Sequence, residues 1–181
     1  MEKKKLRQQQ ISRLKVFADS DQKRQEDRRL LMKLLKSPLI RQAQTIGVTS
    51  SLPFEVDTAE LIAVLWDEGK SVFLARVNPN IGLEFAAYTY HSQLKRSSFG
   101  IEEVADPQAS LEKNPDLLIV PGLAFAQDTG ARLGFGGGYY DCFLSTHHCR
   151  TISLVNSVMC FKKATWPIEA HDVAIDHLIT V

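Results

Sequence analysis

Residues 132–141 read Arg-Leu-Gly-Phe-Gly-Gly-Gly-Tyr-Tyr-Asp and place four glycines within five positions. Glycine costs backbone entropy and supplies no side chain to bury, so the interior of a helix or strand gains nothing from so many of them. We therefore predict a loop whose backbone N–H groups turn towards an anion. A helix that begins at about Tyr139 or Tyr140 would add its free N–H groups and its dipole to the same site. A phosphate is the expected occupant.

The two common phosphate-binding motifs do not fit this loop. The P-loop needs Gly-Lys-Ser/Thr, but Tyr139 follows the last glycine, and the Rossmann fingerprint needs a glycine where Tyr139 again stands. The alternative is a flexible glycine loop without function. The charges of Arg132 before the glycines and Asp141 after them favour a site for a triphosphate and its metal ion.

The composition is typical of one ordinary globular domain. The chain has 181 residues, of which 44% are hydrophobic and 24% charged, and no apolar run approaches the length of a membrane span. The charged N-terminus lacks the apolar segment of a signal peptide, so we expect a cytoplasmic protein. Three cysteines without a Cys-x-x-Cys pair argue against a disulfide framework. A net charge of +1 argues against a nucleic-acid partner, although residues 1–36 carry twelve Lys or Arg against five Asp or Glu.

Apolar spacing and turn residues predict an α/β architecture in a single domain over residues 1–181. The predicted elements are, in chain order, a helix over residues 2–17, a helix capped by Ser20 that stops before Pro38, a strand over 45–50, a helix that ends at Gly69, strands over 71–75, 83–90 and 117–120, a loop over 121–138, a helix over 140–145, and strands over 151–156 and 177–181. The first strand, helix and strand form a βαβ unit with parallel strands and a right-handed crossover. We expect a mostly parallel sheet with helices on both faces.

Ligands of such sheets bind beyond the carboxyl ends of the strands. Three polar loops are expected at that edge, over residues 50–55, over residues 132–141, and around Asp172. The sequence therefore predicts that these loops meet in one site.

The glycine segment resembles the signature of the 5-formyltetrahydrofolate cyclo-ligases, also called methenyltetrahydrofolate synthetases. Further segments resemble family motifs in the family's order, namely Lys3-Lys4-Lys5-Leu6-Arg7, Glu55-Val56-Asp57-Thr58, Phe99-Gly100-Ile101 and residues 167–176. The glycine and tyrosine motif is highly specific, whereas the others are weak alone. The resemblance covers nearly the whole chain and implies the three-layer, NagB/RpiA/CoA transferase-like fold.

The resemblance implies an ATP- and magnesium-dependent ring closure. In that family ATP transfers its γ-phosphoryl group to the formyl oxygen of 5-formyltetrahydrofolate and leaves as ADP. The neighbouring folate amine then attacks the activated carbon, and phosphate leaves to give 5,10-methenyltetrahydrofolate. Phosphoryl transfer of this kind depends on positioning and charge neutralisation, which cations, backbone N–H groups and magnesium supply. The alternative is a non-catalytic folate or nucleotide binder of the same fold. A nucleic-acid module built on the basic N-terminal helices is a further, weaker alternative. We expect a monomer.

The resemblance also implies site residues by position. ATP binding falls to Lys3, Lys4, Lys5, Leu6, Arg7, Arg132, Leu133, Gly134, Phe135, Gly136, Gly137, Gly138, Tyr139 and Tyr140. Arg132 and Tyr139 are the implied catalytic residues, Ser50 and Glu55 contact the folate, and Asp141 and Asp172 bind magnesium. Without the resemblance, Lys3 and Arg7 would be solvated helix charges, Glu55 an exposed loop carboxylate, Tyr140 a core residue, and Asp172 a turn residue or cap. Because Arg132 is expected in an exposed loop, Arg132→Ala should weaken nucleotide use far more than folding.

Overall fold

The computed structural model describes residues 2–181. Its helices are α1 (Lys3–Ala18), α2 (Asp21–Lys36), α3 (Pro38–Gln42), α4 (Ala59–Asp67) and α5 (Tyr139–Thr146). Its strands are β1 (Thr45–Val48), β2 (Ser71–Asn78), β3 (Gly82–Tyr88), β4 (Leu94–Arg96), β5 (Glu102–Val104), β6 (Leu117–Ile119), β7 (Ala124–Ala126), β8 (Arg132–Leu133), β9 (Arg150–Val155), β10 (Cys160–Phe161) and β11 (His177–Thr180). Within the described range, no helix is both long and apolar enough to cross a lipid bilayer.

Six strands form the central sheet in the order β11-β9-β6-β1-β2-β3, and every neighbouring pair is parallel except β2 with β3. This order confirms the predicted α/β class, the parallel pairing of β1 and β2 around α4, and the edge position of β3. Ile46, Gly47 and Val48 are buried in succession. Because successive side chains of a strand point to opposite faces, both faces of β1 are covered.

The helix ends follow local capping chemistry. The Ser20 hydroxyl accepts a hydrogen bond from the Lys23 N–H at 3.1 Å, which confirms the predicted cap of α2. Pro38 stands in the first turn of α3, a helix that the sequence did not predict, and needs no N–H partner there. Gly69 follows α4 with φ +74° and donates its N–H to the Trp66 carbonyl at 2.9 Å, as a helix-terminating glycine should.

The prediction of a loop over residues 121–138 is wrong. β7 and β8 pair antiparallel, and β10 joins β7 to complete a second sheet of three strands. The hairpin turn passes through Gly130, which has φ +68° and where a Cβ would lie 2.3 Å from the Ile175 carbonyl oxygen. The predicted exposure of Arg132 is also wrong, since β8 places it opposite Phe125 and leaves it 8% exposed. Strands of two or three residues are too short to show a hydrophobic period, and the sequence therefore did not reveal them.

A third, two-stranded sheet brings a predicted turn towards the central sheet. β4 and β5 form a hairpin, and its turn contains Phe99-Gly100-Ile101, with Gly100 at φ +83°. β5 packs against β2 and β3. The hairpin therefore places Phe99 beside the carboxyl end of β2 and the start of β3.

Candidate active site

The three polar loops predicted at the carboxyl edge meet in one cleft of about 330 Å³. Its walls come from α1, the loop after β1, the second half of β2, the β4–β5 turn, the glycine segment 134–138, the start of α5, and residues 169–172. The prediction that these loops converge is therefore confirmed. The loop after β1 reaches the cleft from the carboxyl end of a parallel strand. The glycine segment instead follows β8 of the second sheet, and residues 169–172 lie between β10 and β11.

Lys3 and Arg7 project from α1 into this cleft, one helical turn apart on one face. The Arg7 Nε donates a hydrogen bond to the Gly134 carbonyl at 2.9 Å. The Lys3 Nζ lies 2.6 Å from a carboxylate oxygen of Glu169 and 2.6 Å from one of Asp172, and its side chain is only 12% exposed. The two residues are thus part of the cleft wall rather than solvated helix charges.

The other three residues of the Lys3-Lys4-Lys5-Leu6-Arg7 motif lie outside the cleft. Lys4 and Lys5 are exposed, and Leu6 is buried in the core. Neither they nor Leu133, which is 1% exposed in β8, form part of the cleft wall. Because a helix repeats every 3.6 residues, Lys3 and Arg7 are the two members of this motif that face the cleft.

The glycine segment combines unusual backbone conformations with close approaches. Gly136 and Gly138 have φ of +108° and +70°, and Gly138 is the N-cap of α5. A Cβ on Gly134 would lie 2.7 Å from Nη1 of Arg132, and one on Gly137 would lie 2.7 Å from the Tyr139 ring. Gly136, Gly137 and Gly138 are exposed to the cleft. The segment therefore presents backbone and the free N–H groups of the α5 N-terminus to a ligand.

Arg132 is held from several sides. Its Nη2 lies 2.9 Å from the Asp141 carboxylate, its Nη1 donates to the Pro121 carbonyl at 3.3 Å, and its guanidinium carbon lies 5.5 Å from the centre of the Tyr140 ring. The other Asp141 oxygen accepts the Val173 N–H at 3.0 Å. Both oxygens of Asp141 thus have protein partners. Asp141 therefore orients Arg132 through this ion pair. Magnesium binding by Asp141 stays a prediction.

Asp172 belongs to a cluster with Glu169 and His171. One ligand atom from each of the three lies within 4.8 Å of the other two. Although burial acts the other way, the Glu169 N–H and the Lys3 ammonium keep the pKa of Asp172 below its ordinary value. Burial likewise opposes the charge on Lys3, yet its hydrogen bonds to Asp172 and Glu169 raise the Lys3 pKa. Sequence reasoning found only Asp172, although the spacing Glu169-x-His171-Asp172 was a signal it did not use.

Glu55 is not an exposed loop carboxylate, since it is 6% exposed. It lines the cleft, and one of its oxygens accepts the Leu52 N–H at 2.7 Å. Burial raises the pKa of Glu55 to about 7, although the Leu52 N–H and the Lys23 charge act in the opposite direction. Ser50 is half-buried and lies outside the cleft wall, where its neighbour Thr49 takes part instead.

Aromatic rings close the mouth of the cleft. Phe99 and Tyr139 contact edge to face with ring centres 5.7 Å apart. The ring centres of Phe135 and Phe54 lie 6.4 Å apart. Phe99 and Phe135 are 50% and 43% exposed. Tyr140 lies deeper, where its hydroxyl hydrogen-bonds to the Thr49 hydroxyl, and it both packs on the core and lines the cleft. The mouth therefore offers flat apolar surfaces that suit a planar ring.

The structure also adds a charged pair that sequence reasoning missed. The Arg76 Nε on β2 lies 2.5 Å from a carboxylate oxygen of Glu84 on β3, and Arg76 lines the cleft with Glu103 of β5. These residues lie within ordinary strands and belong to no motif. Only the pairing of β2 with β3 and the packing of β5 bring them to the site.

Comparison with known proteins identifies the family. A sequence model described as the 5-formyltetrahydrofolate cyclo-ligase family matches residues 1–181. The chain belongs to the 5-formyltetrahydrofolate cyclo-ligase family. The 5-formyltetrahydrofolate cyclo-ligase of Escherichia coli K12 is 30% identical over 169 residues, which cover 88% of this chain and 90% of that protein. The cyclo-ligase of Haemophilus influenzae is 34% identical over 140 residues, 75% of this chain and 74% of the relative.

Solved structures of this family share the fold. The 5,10-methenyltetrahydrofolate synthetase of Aquifex aeolicus superposes with a TM-score of 0.85 at 26% identity, over 99% of this chain and 90% of that one. The synthetase of Mycoplasma pneumoniae gives a TM-score of 0.74 at 20% identity, over 99% of this chain and 98% of that one, and supports the fold alone. The predicted family, enzyme class and fold are thus confirmed.

Proposed function

We propose that this protein converts 5-formyltetrahydrofolate to 5,10-methenyltetrahydrofolate in a reaction that consumes ATP and requires magnesium. The observation that carries the proposal is the cleft itself. It joins a cationic, glycine-lined corner to a buried carboxylate and a mouth of aromatic rings. The cationic corner suits a triphosphate, whereas the buried carboxylate and the aromatic rings suit a planar ring that forms hydrogen bonds. Membership of the cyclo-ligase family supports the same substrate.

Lys3, Arg7 and Arg132 would hold the phosphates of ATP together with the backbone of the glycine segment. The segment Gly136–Gly138 exposes backbone to the cleft, and the N-terminus of α5 favours negative charge. Arg132 is fixed in place by Asp141, so its guanidinium needs little rearrangement to stabilise charge on the transferred phosphoryl group. Tyr139, at the start of α5, would pack against the bound substrates.

Magnesium fits the donor set around Asp172. Magnesium prefers oxygen ligands and is bound by one or two carboxylates plus phosphate oxygens and water. Asp172 and Glu169 supply such carboxylates on the wall that also carries Lys3. When bound, the ion would neutralise charge on the phosphate oxygens. In this structure the Lys3 ammonium bonds both oxygens of Asp172 and one of Glu169, and it would exchange these contacts for the phosphates of ATP when the ion binds.

Glu55 would bind the folate ring as an acceptor. A carboxylate has no proton to donate when ionised, so it pairs with ring N–H groups. The formyl oxygen of the bound folate would attack the γ-phosphorus of ATP, and ADP would leave. The neighbouring folate amine would then attack the activated carbon, and departure of phosphate together with the amine proton would complete the ring closure. The protein contributes by holding the two substrates in line and by excluding water from the cleft.

The test follows formation of the methenyl product by its absorbance. Purified protein with 5-formyltetrahydrofolate, ATP and magnesium should generate the product, and omission of ATP or addition of a chelator should stop it. Lys3→Ala should raise the KM for ATP about tenfold, because a charge-assisted phosphate contact is lost. Lys4→Ala is the matched control, since Lys4 lies on the exposed face of α1. No product from folded wild-type protein would refute the proposal.

A further inference from the structure

Glu103 is a glutamate that β5 buries in the wall of the cleft. It is 4% exposed and lies two residues beyond Ile101, which borders the same cleft. Glutamate is almost never fully buried unless it is paired, because an ionised carboxylate that leaves water loses its hydration. The burial of Glu103 therefore requires compensation by other polar groups.

Protein groups satisfy only part of this carboxylate. Its Oε1 accepts the backbone N–H of Val77 at 3.3 Å, which is the single hydrogen bond that Glu103 makes within residues 2–181. Lys95 stands opposite Glu103 in the register of β4 and β5, but Lys95 is exposed and forms no ion pair with any described residue. The second oxygen of Glu103, Oε2, is thus left for a ligand of the cleft.

A second buried glutamate nearby shows the contrast. Glu84 is 7% exposed, and its Oε1 lies 2.5 Å from the Arg76 Nε. The Arg76 Nη1 donates to the Asp106 carbonyl at 2.6 Å. Arg76 is therefore the counter-ion of Glu84. Glu103 has no such cation in the described part of the chain, although both glutamates are buried to a similar degree.

The hairpin that carries Glu103 meets the loop that carries Glu55. A Cβ on Gly100 would lie 3.6 Å from a side-chain carbon of Leu52. The Leu52 N–H is the donor that Glu55 accepts. On the other side of the hairpin turn, Phe99 contacts the Tyr139 ring at the mouth of the cleft. Glu103 and Glu55 thus stand on adjoining walls next to the aromatic rings.

We propose that Glu103 is a second folate-binding carboxylate, which accepts N–H hydrogen bonds from the pterin ring. A reduced pterin carries more donors than one carboxylate can accept, since N3–H and the 2-amino group lie on its pyrimidine ring and N8–H on its reduced ring. Ionised carboxylates are acceptors only and match such donors. The inference rests on the proposed function for the identity of the ligand, and it divides the recognition of the ring between Glu55 and Glu103.

Glu103→Gln distinguishes this role from a purely structural one. The glutamine keeps its volume and an oxygen for the Val77 N–H, but it replaces the acceptor at Oε2 by an N–H₂ donor and removes the charge. A structural contact with β2 would survive this change, whereas a ligand contact would not. The Kd for 5-formyltetrahydrofolate should therefore rise about tenfold or more, the loss expected for a hydrogen bond to a charged group.

Glu102→Gln is the matched control. Glu102 is the preceding residue of β5, is half-buried, and lies outside the cleft wall, because successive side chains of a strand point to opposite faces. Isothermal titration calorimetry without ATP measures folate binding to both variants. A second titration uses a non-hydrolysable ATP analogue, whose Kd should stay unchanged in both. In turnover, Glu103→Gln should raise the KM for the folate and leave the KM for ATP at its wild-type value.

The sign of the change also separates the pterin ring from the glutamate tail of the folate. If that negatively charged tail lay beside Glu103, Glu103→Gln would tighten binding and the inference would be overturned. Equal Kd values for Glu103→Gln and Glu102→Gln would overturn it as well, as would an equal loss of affinity for the ATP analogue. If Glu103→Gln does not fold, Glu103→Asp replaces it, because it withdraws the carboxylate by one methylene and should also weaken folate binding.

The same measurements separate this inference from the proposed function. Wild-type protein that binds the folate but yields no methenyl product would count against the proposed function and leave the effect of Glu103→Gln on binding intact. Wild-type turnover with an unchanged folate Kd in Glu103→Gln would overturn the inference alone. Folded wild-type protein that binds no folate would overturn both.

Discussion

Replacement of Arg132 by methionine should both destabilise the protein and weaken its use of ATP. The Arg132 side chain is 5% exposed and its partner Asp141 is 19% exposed. Removal of one member of a buried ion pair costs about 3–5 kcal/mol, because the other charge is left without compensation. Asp141 retains the Val173 N–H and some contact with water. We therefore expect the lower end of the range, about 3 kcal/mol.

Thermal unfolding followed by circular dichroism measures this loss. For a domain of 181 residues, 1 kcal/mol corresponds to about 2–4 °C, so Tm should fall by about 6–12 °C. The double variant Arg132→Met with Asp141→Asn should recover part of the stability, because no unpaired charge remains. Arg24→Met is the control, since Arg24 and Asp21 form an ion pair with side chains 67% and 84% exposed. Such a pair is worth less than about 1 kcal/mol.

Activity should not recover with stability. Under the proposed function, loss of Arg132 would remove the cation that stabilises the transferred phosphoryl group, and we expect a drop of about 10²–10³ in kcat/KM for ATP, measured well below Tm. The double variant should remain equally inactive. A Tm for Arg132→Met no lower than that of Arg24→Met would refute the structural part of this reasoning. Recovery of activity in the double variant would refute the catalytic part.

Three further predictions concern single groups of the cleft. Because ionised Glu55 is the form that accepts hydrogen bonds, kcat/KM for the folate should fall as the pH drops through about 7, and Glu55→Gln should remove this limb of the profile. Gly134→Ala should lower kcat/KM for ATP at least tenfold by displacing Arg132, whose Nη1 would lie 2.7 Å from the new Cβ. Gly138 has φ +70° and open space around it, so Gly138→Ala should instead lower the free energy of unfolding by about 1 kcal/mol. Asp172→Asn should raise the magnesium concentration for half-maximal rate about tenfold, with exposed Asp128→Asn as the control; equal effects of the two substitutions would exclude Asp172 as a ligand.

Local sequence was sufficient for the parts of the fold that depend on near neighbours. Ser20 and Gly69 mark helix ends because capping involves residues within one turn, and the α/β order follows from apolar spacing along β1, α4 and β2. The glycine segment was recognisable as a site because no regular element benefits from four glycines in five positions. The resemblance to the cyclo-ligases rests on this same segment.

Contacts between distant residues settled the remainder. Arg132 is buried because a hairpin of very short strands faces it towards Asp141, and Glu55 is buried in the wall of the cleft. Lys3 meets Asp172 across 169 positions of sequence. Burial and ion pairing depend on which segments the folded chain brings together, and short-range patterns carry no record of partners so far away. For that reason the family and the place of the cleft could be predicted from motifs, whereas the raised pKa of Glu55 and the fixed position of Arg132 required the packed structure.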